Sequence, residues 1–295
     1  MLSRIIAILF ICLLPSALVL AVDNPINTDS PDDSMQSSTV DKCKQLVVVG
    51  DTDWVPYAIK TDTVVTGVGI DLVKGIFSEL DIPVKELNFT DKRSIYHGLL
   101  LGDIDILVSL YPNAELGEFL EIIEPGYNPD PITVLMHAGK SGNIKRWDDL
   151  IGLHGIITRY FTLEKDFAEY VESYLYVTQQ DDLHTTLDFI SKKKFDYMLG
   201  SKAQLEYALK LVNNKDDFAL LENISAPMEV RMGFSKQSQC KAYLPFLRKN
   251  LLELKDSGAV AEKIAAYMAK AAAPNPTEEL PKPEQNSDIN YLLGI

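Results

Sequence analysis

The sequence predicts an α/β protein built as two similar lobes with a cleft between them. Two stretches carry this prediction, Gly102-Asp103-Ile104-Asp105 and Lys194-Phe195-Asp196, because each follows a helix-like run and precedes a short apolar strand. The chain of 295 residues is long enough for two domains, and a hydrophobic content of 46% is enough to form their cores.

The first lobe begins with a β-α-β-α-β succession. The apolar run Leu46 to Gly50 is typical of a buried parallel strand, and Gly69 to Leu80 has apolar residues at helical spacing. Pro83 ends that helix. A strand from Val84 to Phe89, a helix from Ser94 to Leu101 and a strand from Ile104 to Val108 follow. This order predicts a parallel sheet with right-handed crossovers.

A second cycle of strands and helices follows, and the chain then returns to the first lobe. The predicted strands are Pro131–His137, Gly155–Thr158, Phe195–Leu199 and Glu229–Ser235. The predicted helices are Trp147–Leu150, Thr162–Tyr174, Asp181–Ser191, Lys202–Leu211, Lys241–Lys255 and Val260–Met268.

Both ends of the chain differ in composition from the region between them. Residues 1–21 have an early Arg4 and an apolar run, which predicts a secretory signal peptide cleaved after Ala21. A membrane anchor is the less favoured alternative, because the run is short for a bilayer span. Polar residues 22–41 predict a flexible leader, and the Pro-rich residues 270–295 predict a disordered tail.

The composition excludes several classes of function. A net charge of −14 argues against nucleic acid and anionic membrane surfaces as partners. The four histidines have no metal-ligand spacing, and no nucleophile-elbow or phosphate-loop motif is present. We therefore expect a protein that is not an enzyme and that has neither a cofactor nor a metal.

Several stretches in a fixed order resemble one known family. They are Asp53-Trp54-Val55-Pro56-Tyr57, Gly67 to Leu72, Gly98 to Asp105, Trp147 to Gly152, the motif at Asp196, and Leu251 to Gly258. Over residues 43–269 the sequence resembles the family 3 extracellular solute-binding proteins, the periplasmic receptors of polar amino-acid ABC importers.

The resemblance implies a periplasmic-binding-protein clamshell with two hinge strands, 131–137 and 229–235. Lobe 1 would comprise residues 43–130 and 236–269, and lobe 2 residues 131–235 with the hinge strands. It also implies a periplasmic, monomeric protein whose partners are a small polar ligand and an ABC permease. In such folds, closure of the lobes converts binding into a change of shape.

The family usually holds an amino acid by an arginine on the carboxylate and an aspartate on the ammonium group. Here no lysine or arginine lies between Arg93 and Lys140, and Ser201 stands where that aspartate is expected. Both charged groups of an amino-acid site therefore have no counterpart at the matching positions, and a standard α-amino acid in the standard pose is not expected.

The predicted lining of the cleft is aromatic and neutral apart from one arginine. The ligand-binding candidates are Trp54, Tyr57, Ser109, Tyr111, Tyr127, Arg159, Tyr160 and Ser201. Arg159 either holds an anion from lobe 2 or pairs with Glu164 or Asp166 on the surface. Trp54 and Tyr57 could instead anchor their loop, and the other tyrosines could be rim or hinge-packing residues.

Cys43 and Cys240 are the cysteines that remain after residue 21. An exported chain favours a disulfide between them, and two buried free thiols are the alternative. The favoured function is capture of a small solute for an ABC importer. A periplasmic sensor or orphan binding module without a transport role is the alternative, and a dehydratase-like enzyme on the same fold is the least favoured.

Overall fold

The computed structural model describes residues 43–50, 54–60, 64–88, 91–158, 163–180, 183–212 and 214–270. The predicted signal peptide, leader and most of the predicted tail lie outside these residues. Within them, no helix is both long and apolar enough to cross a membrane.

The described chain is a mixed α/β structure. Its strands are β1 (Leu46–Val49), β2 (Ile59–Lys60), β3 (Val65–Thr66), β4 (Val84–Glu86), β5 (Ile106–Leu110), β6 (Leu120–Ile122), β7 (Asn128–Pro129), β8 (Ile132–His137), β9 (His154–Thr158), β10 (Tyr176–Gln180), β11 (Tyr197–Ser201), β12 (Phe218–Ala226) and β13 (Glu229–Ser235). Its α-helices are α1 (Val68–Ser78), α2 (Lys92–Leu101), α3 (Ala114–Phe119), α4 (Lys165–Tyr174), α5 (Leu183–Ser191), α6 (Lys202–Leu211), α7 (Leu244–Asp256) and α8 (Ala259–Lys270). Short 3₁₀ helices cover Ala138–Asn143, Trp147–Leu150, Lys215–Asp217 and Lys241–Tyr243.

Two main sheets form the centres of the two lobes. The first has the strand order β4-β1-β5-β13-β6, with β7 paired to β13, and the second has the order β10-β9-β11-β8-β12. In each sheet three neighbouring strands are parallel, β4, β1 and β5 in one and β10, β9 and β11 in the other. The central strands β5 and β11 are buried along their whole length, as expected for parallel strands covered on both faces. The predicted two-lobe α/β fold is confirmed.

The chain crosses between the lobes twice, at adjacent points. Strand β8 pairs wholly within the second sheet and β13 wholly within the first, so the crossings are the short segments β7 to β8 and β12 to β13. Asn128 pairs with Val230 on one side, and Ile132 pairs with Ala226 on the other. The crossing segments therefore run side by side, in the arrangement of a two-stranded hinge.

Local signals explain the helix boundaries near the site. Asp91 caps α2 by accepting a hydrogen bond from Ser94 N–H, and Gly102 ends that helix in the left-handed conformation. The predicted helix Lys241–Lys255 is in fact a 3₁₀ turn followed by α7, with a proline in the first turn of that helix. Strands β2, β3, β6, β7, β10 and β12 and helix α3 were not predicted.

A disulfide joins Cys43 and Cys240, whose Cα atoms are 4.7 Å apart. It ties the chain just before β1 to the segment just after β13, so both ends of the bridge lie beside the first sheet. The bridged residues are 197 positions apart in sequence, and the bond therefore closes a very long loop.

Candidate functional site

The two repeated aspartates have the same structural role in the two lobes. Asp105 precedes β5 and its Oδ2 accepts a hydrogen bond from Val47 N–H of β1, at 2.7 Å. Asp196 precedes β11 and its Oδ2 accepts from His154 N–H of β9, at 2.9 Å. Each carboxylate thus joins the beginnings of two neighbouring parallel strands, at the end of the sheet opposite to the cleft.

The carboxyl ends of β5 and β11 point toward the junction of the lobes, which is where α/β sheets commonly bind ligands. Ser109 lies near the end of β5, and Ser201 is the last residue of β11. Both are fully buried. The repeated aspartates therefore mark the register from which these two serines can be counted, rather than being ligand-binding groups themselves.

The loop from Trp54 to Ala58 is held firmly against the start of α1. Trp54 and Ala58 form a bridge, and the amides of Val68 and Gly69 donate to the carbonyls of Pro56 and Tyr57. Gly67 has φ of 126°, and a Cβ there would lie 2.5 Å from the Tyr57 carbonyl oxygen. Glycine at this position is therefore required for the loop to pack as it does.

Trp54 connects the two lobes. Its indole Nε1–H donates a buried hydrogen bond of 3.0 Å to Ser201 Oγ, across 147 residues of sequence. The same oxygen caps α6 by accepting from Gln204 N–H at 3.1 Å. The indole also makes edge-to-face contacts with Tyr57 and Tyr111, at centroid distances of 5.3 and 4.6 Å.

Asp130, in the first crossing segment, lies at the centre of this cluster and was not among the sequence-predicted site residues. Its Oδ1 accepts a hydrogen bond of 3.0 Å from Ala203 N–H in the first turn of α6. Its main-chain carbonyl accepts from Tyr111 Oη–H at 2.6 Å, and its main-chain N–H donates to Met228 O at 2.9 Å. Asp130 is 2% exposed.

The second carboxylate oxygen of Asp130, Oδ2, is buried without a hydrogen-bond partner. Burial raises the pKa of Asp130 from 3.8 to about 6. The Ala203 amide and the donors of Ser201, Tyr57 and Trp54 oppose this rise, but none of them makes a hydrogen bond of normal geometry to Oδ2. Asp130 forms no ion pair with a lysine, arginine or histidine of the described residues.

The tyrosine hydroxyls of the cluster are largely used by the protein itself. Tyr127 Oη–H donates to Val108 O at 3.0 Å, and Tyr57 Oη accepts from Asn128 Nδ2 at 2.8 Å. Burial, followed by the negative charge of Asp130, raises the pKa of Tyr57 well above its usual value, so the phenol stays neutral. Ser109 Oγ is buried and has no hydrogen-bond partner.

Six of the eight predicted ligand-binding residues lie in or beside this interlobe cluster. They are Trp54, Tyr57, Ser109, Tyr111, Tyr127 and Ser201, and each is at most 5% exposed. Arg159 and Tyr160 lie outside the described residues. The contacts of Tyr111 and Tyr127 are those of hinge packing, whereas Trp54 and Ser201 face each other from opposite lobes.

One feature of the sequence points to Asp130. Asp130 stands between Pro129 and Pro131, within the long segment that has no lysine or arginine. A carboxylate in such a segment, at a predicted lobe crossing, has no basic neighbour along the chain to neutralise it. The predicted lining next to Ser201 was neutral and did not include Asp130, which the fold brings there.

An open pocket of about 450 Å³ lies at the crossing segments. It is lined by Pro129, Pro131, Glu164, Ser225, Pro227, Met228, Glu229 and Arg231. The two prolines that flank Asp130 are thus accessible from this pocket. Among the described residues no group of three histidine, cysteine, aspartate or glutamate side chains could hold a metal ion.

Solved structures with the same architecture are numerous, whereas no protein-family model and no curated protein matches the chain. One is the amino acid ABC transporter substrate-binding protein AbpA from Streptococcus pneumoniae bound to L-arginine, with 14% identity and a TM-score of 0.65, covering 80% of this chain and 99% of that one. Another is the GluR0 ligand-binding core with L-glutamate, with 16% identity and a TM-score of 0.64, covering 76% and 98%.

A third is the ancestral amino-acid-binding protein AncCDT-1, a precursor of cyclohexadienyl dehydratase, with 16% identity and a TM-score of 0.62, covering 79% of this chain and 99% of that one. At these identities the likeness establishes the fold. The chain has the two-lobe fold of the substrate-binding proteins of amino-acid ABC transporters.

Proposed function

We propose that the protein is an extracytoplasmic solute-binding protein that captures a small polar molecule between its lobes for an ABC importer. The contact that supports this most strongly is the hydrogen bond from Trp54 of the first lobe to Ser201 of the second. A molecule that inserts between these two side chains touches both lobes, so its binding energy depends on how far the lobes are closed.

Trp54 and Ser201 are the proposed principal ligand contacts, and Tyr57, Ser109, Tyr111 and Tyr127 shape the cleft around them. Arg159 and Tyr160 extend the lining from the second lobe, and Arg159 holds any anionic group of the ligand. The protein works as a periplasmic monomer with an ABC permease as its partner. Fold neighbours that are named as ABC transporter proteins support this setting.

A thermal-shift screen with a library of small polar solutes tests the proposal. A true ligand raises the melting temperature of the wild type, because it binds only the folded state. Trp54→Ala should abolish the shift, whereas Tyr174→Ala, at a 59% exposed tyrosine of α4, should retain it. Equal shifts in the wild type and Trp54→Ala would place the ligand elsewhere, and no shift with any solute would contradict the function.

An enzymatic role is the second candidate, and Asp130 is the observation that favours it. A buried carboxyl group with a pKa of about 6 is suited to general acid–base work near neutral pH. One fold neighbour is a named precursor of a dehydratase. Incubation of the protein with a cyclohexadienyl substrate tests this role, and turnover that is lost in Asp130→Asn would favour it over simple binding.

A further inference from the structure

We infer that the carboxylate of Asp130 binds a positively charged group of the ligand. The solute is then a small organic cation, such as an amine or a methylated ammonium. This inference rests on the proposed solute-binding function and names the ligand class of the same cleft. It depends on four features of the cluster. They are the buried Oδ2 of Asp130 without a hydrogen-bond partner, the charge balance around Asp130, the aromatic rings, and the position of Asp130 between the lobes.

The unpartnered Oδ2 of Asp130 is the first feature. A buried carboxylate oxygen without a hydrogen bond is costly, and an ion or a ligand that binds there would remove that cost. The other oxygen already accepts from the Ala203 amide. One oxygen of the carboxylate therefore accepts from the helix, and the other accepts no hydrogen bond of normal geometry and can accept one from a ligand.

The charge balance is the second feature. Two of the α6 amides nearest the site are occupied by protein acceptors, since Lys202 N–H donates to Pro131 O and Ala203 N–H donates to Asp130. An anion would therefore compete with Asp130 for this helix end and would be repelled by its carboxylate. A cation instead pairs with the carboxylate, and this pairing is strong in a site with little water.

The aromatic rings are the third feature. Trp54, Tyr57 and Tyr111 form an aromatic cluster beside Asp130, in which Trp54 contacts the other two rings and Tyr111 Oη–H donates to the main-chain carbonyl of Asp130. Aromatic rings attract cations through their electron-rich faces, and indole does so best. Together the rings and the carboxylate make the chemical environment in which proteins recognise ammonium groups.

The position of Asp130 between the lobes is the fourth feature, because opening of the lobes gives a ligand access to its carboxylate. Asp130 is fixed to the second lobe through Ala203 and to the crossing segment through Met228, while Trp54 belongs to the first lobe. Separation of the lobes breaks the Trp54–Ser201 hydrogen bond and uncovers Oδ2. A cation that enters there is then covered by the indole when the lobes close.

Calorimetric titration with charge-matched probes tests the inference. The cationic probes are choline, ethanolamine and agmatine, and 3,3-dimethyl-1-butanol is the neutral analogue of choline. We expect at least one cation to bind the wild type, and the affinity to fall at least about tenfold in Asp130→Asn, which keeps the acceptor for Ala203. Asp196→Asn removes a carboxylate from the other end of β11 and should bind the cation like the wild type.

The outcomes separate this inference from the function on which it rests. A neutral or anionic solute that binds while no cationic probe does would overturn the inference and leave solute binding intact. A cation that binds Asp130→Asn and the wild type equally would also overturn it. Failure of every solute in the screen, charged or neutral, would contradict solute binding itself.

Discussion

The buried carboxyl group of Asp130 predicts an unusual dependence of stability on pH. The change to be made is Asp130→Asn, which keeps the size of the side chain and the oxygen that accepts from Ala203 N–H, but removes the ionisable group. Because burial raises the pKa of Asp130 in the folded protein, the folded state binds more protons than the unfolded state between pH 4 and 6. The wild type therefore loses stability as the pH rises through this range.

The size of the effect follows from the two pKa values. A rise from 3.8 to about 6 corresponds to about 3 kcal/mol of stability at 1.36 kcal/mol per pH unit, fully lost above the folded-state pKa. At pH 7.5 the Asn variant should thus be more stable than the wild type by up to about 3 kcal/mol, which is roughly 6–12 °C in melting temperature for a protein of this size. Near pH 4 the two proteins should have nearly the same stability.

Urea unfolding of both proteins from pH 4 to 8 measures this difference. Asp196→Asn is the matched control, with the opposite sign. Burial alone would raise the pKa of Asp196, but the interactions with Lys140 and His154 outweigh burial and lower the pKa. The ionised carboxylate of Asp196 therefore stabilises the folded protein at neutral pH, and its removal should lower the free energy of unfolding there. Parallel pH profiles for wild type and Asp130→Asn would refute the reasoning, since the carboxyl group would then be as well solvated in the fold as in the unfolded chain.

Three further predictions concern the frame of the site and its selectivity. Replacement of both Cys43 and Cys240 by alanine should lower the free energy of unfolding by about 2–5 kcal/mol, because the bridge constrains a long loop in the unfolded chain. Denaturant unfolding under oxidising conditions measures this loss, and an unchanged midpoint would contradict it. Gly67→Ala should lower the free energy of unfolding by about 1–3 kcal/mol, because Gly67 has a positive φ and a Cβ there would meet the Tyr57 carbonyl. At Gly142 a Cβ meets nothing within 4 Å, so Gly142→Ala should change the free energy of unfolding by no more than about 0.5 kcal/mol. Similar midpoints of denaturant unfolding for the two variants would contradict this prediction. The standard amino acids should give weak or no thermal shifts, and a strong shift with glutamine, histidine, arginine or glutamate would show that an amino-acid site exists.

Much of the fold could be predicted because its signals are local. Helix α6 begins and ends at the predicted residues, and β5 and β11 are mainly apolar runs that follow the repeated aspartates. Strand β10 was missed because its sequence, Tyr176–Gln180, is mostly polar and lies at the edge of its sheet. Strand β12 alternates irregularly and has a register shift between Leu220 and Ser225, which weakens the period-2 pattern.

The candidate site was only partly predictable, since its central group depends on contacts distant in sequence. Trp54 and Ser201 were predicted from the resemblance to the solute-binding family, since nothing local in the sequence joins residues 147 positions apart. Asp130 was missed because an aspartate between two prolines is typical of a surface turn. It becomes a buried carboxylate only when the crossing segment packs against the start of α6, which is a property of the tertiary structure.

Fluorescence titration of Trp54 tests most directly whether the solute binds between the lobes. The chain has two tryptophans, so Trp147→Phe leaves Trp54 as the only tryptophan, whose indole can be excited selectively over the tyrosines. A solute that stabilises the protein should change the Trp54 emission in a saturable, one-site manner, because it displaces the indole from Ser201. An unchanged emission in the presence of a solute that still raises the melting temperature would show that it binds elsewhere and would contradict the proposed cleft.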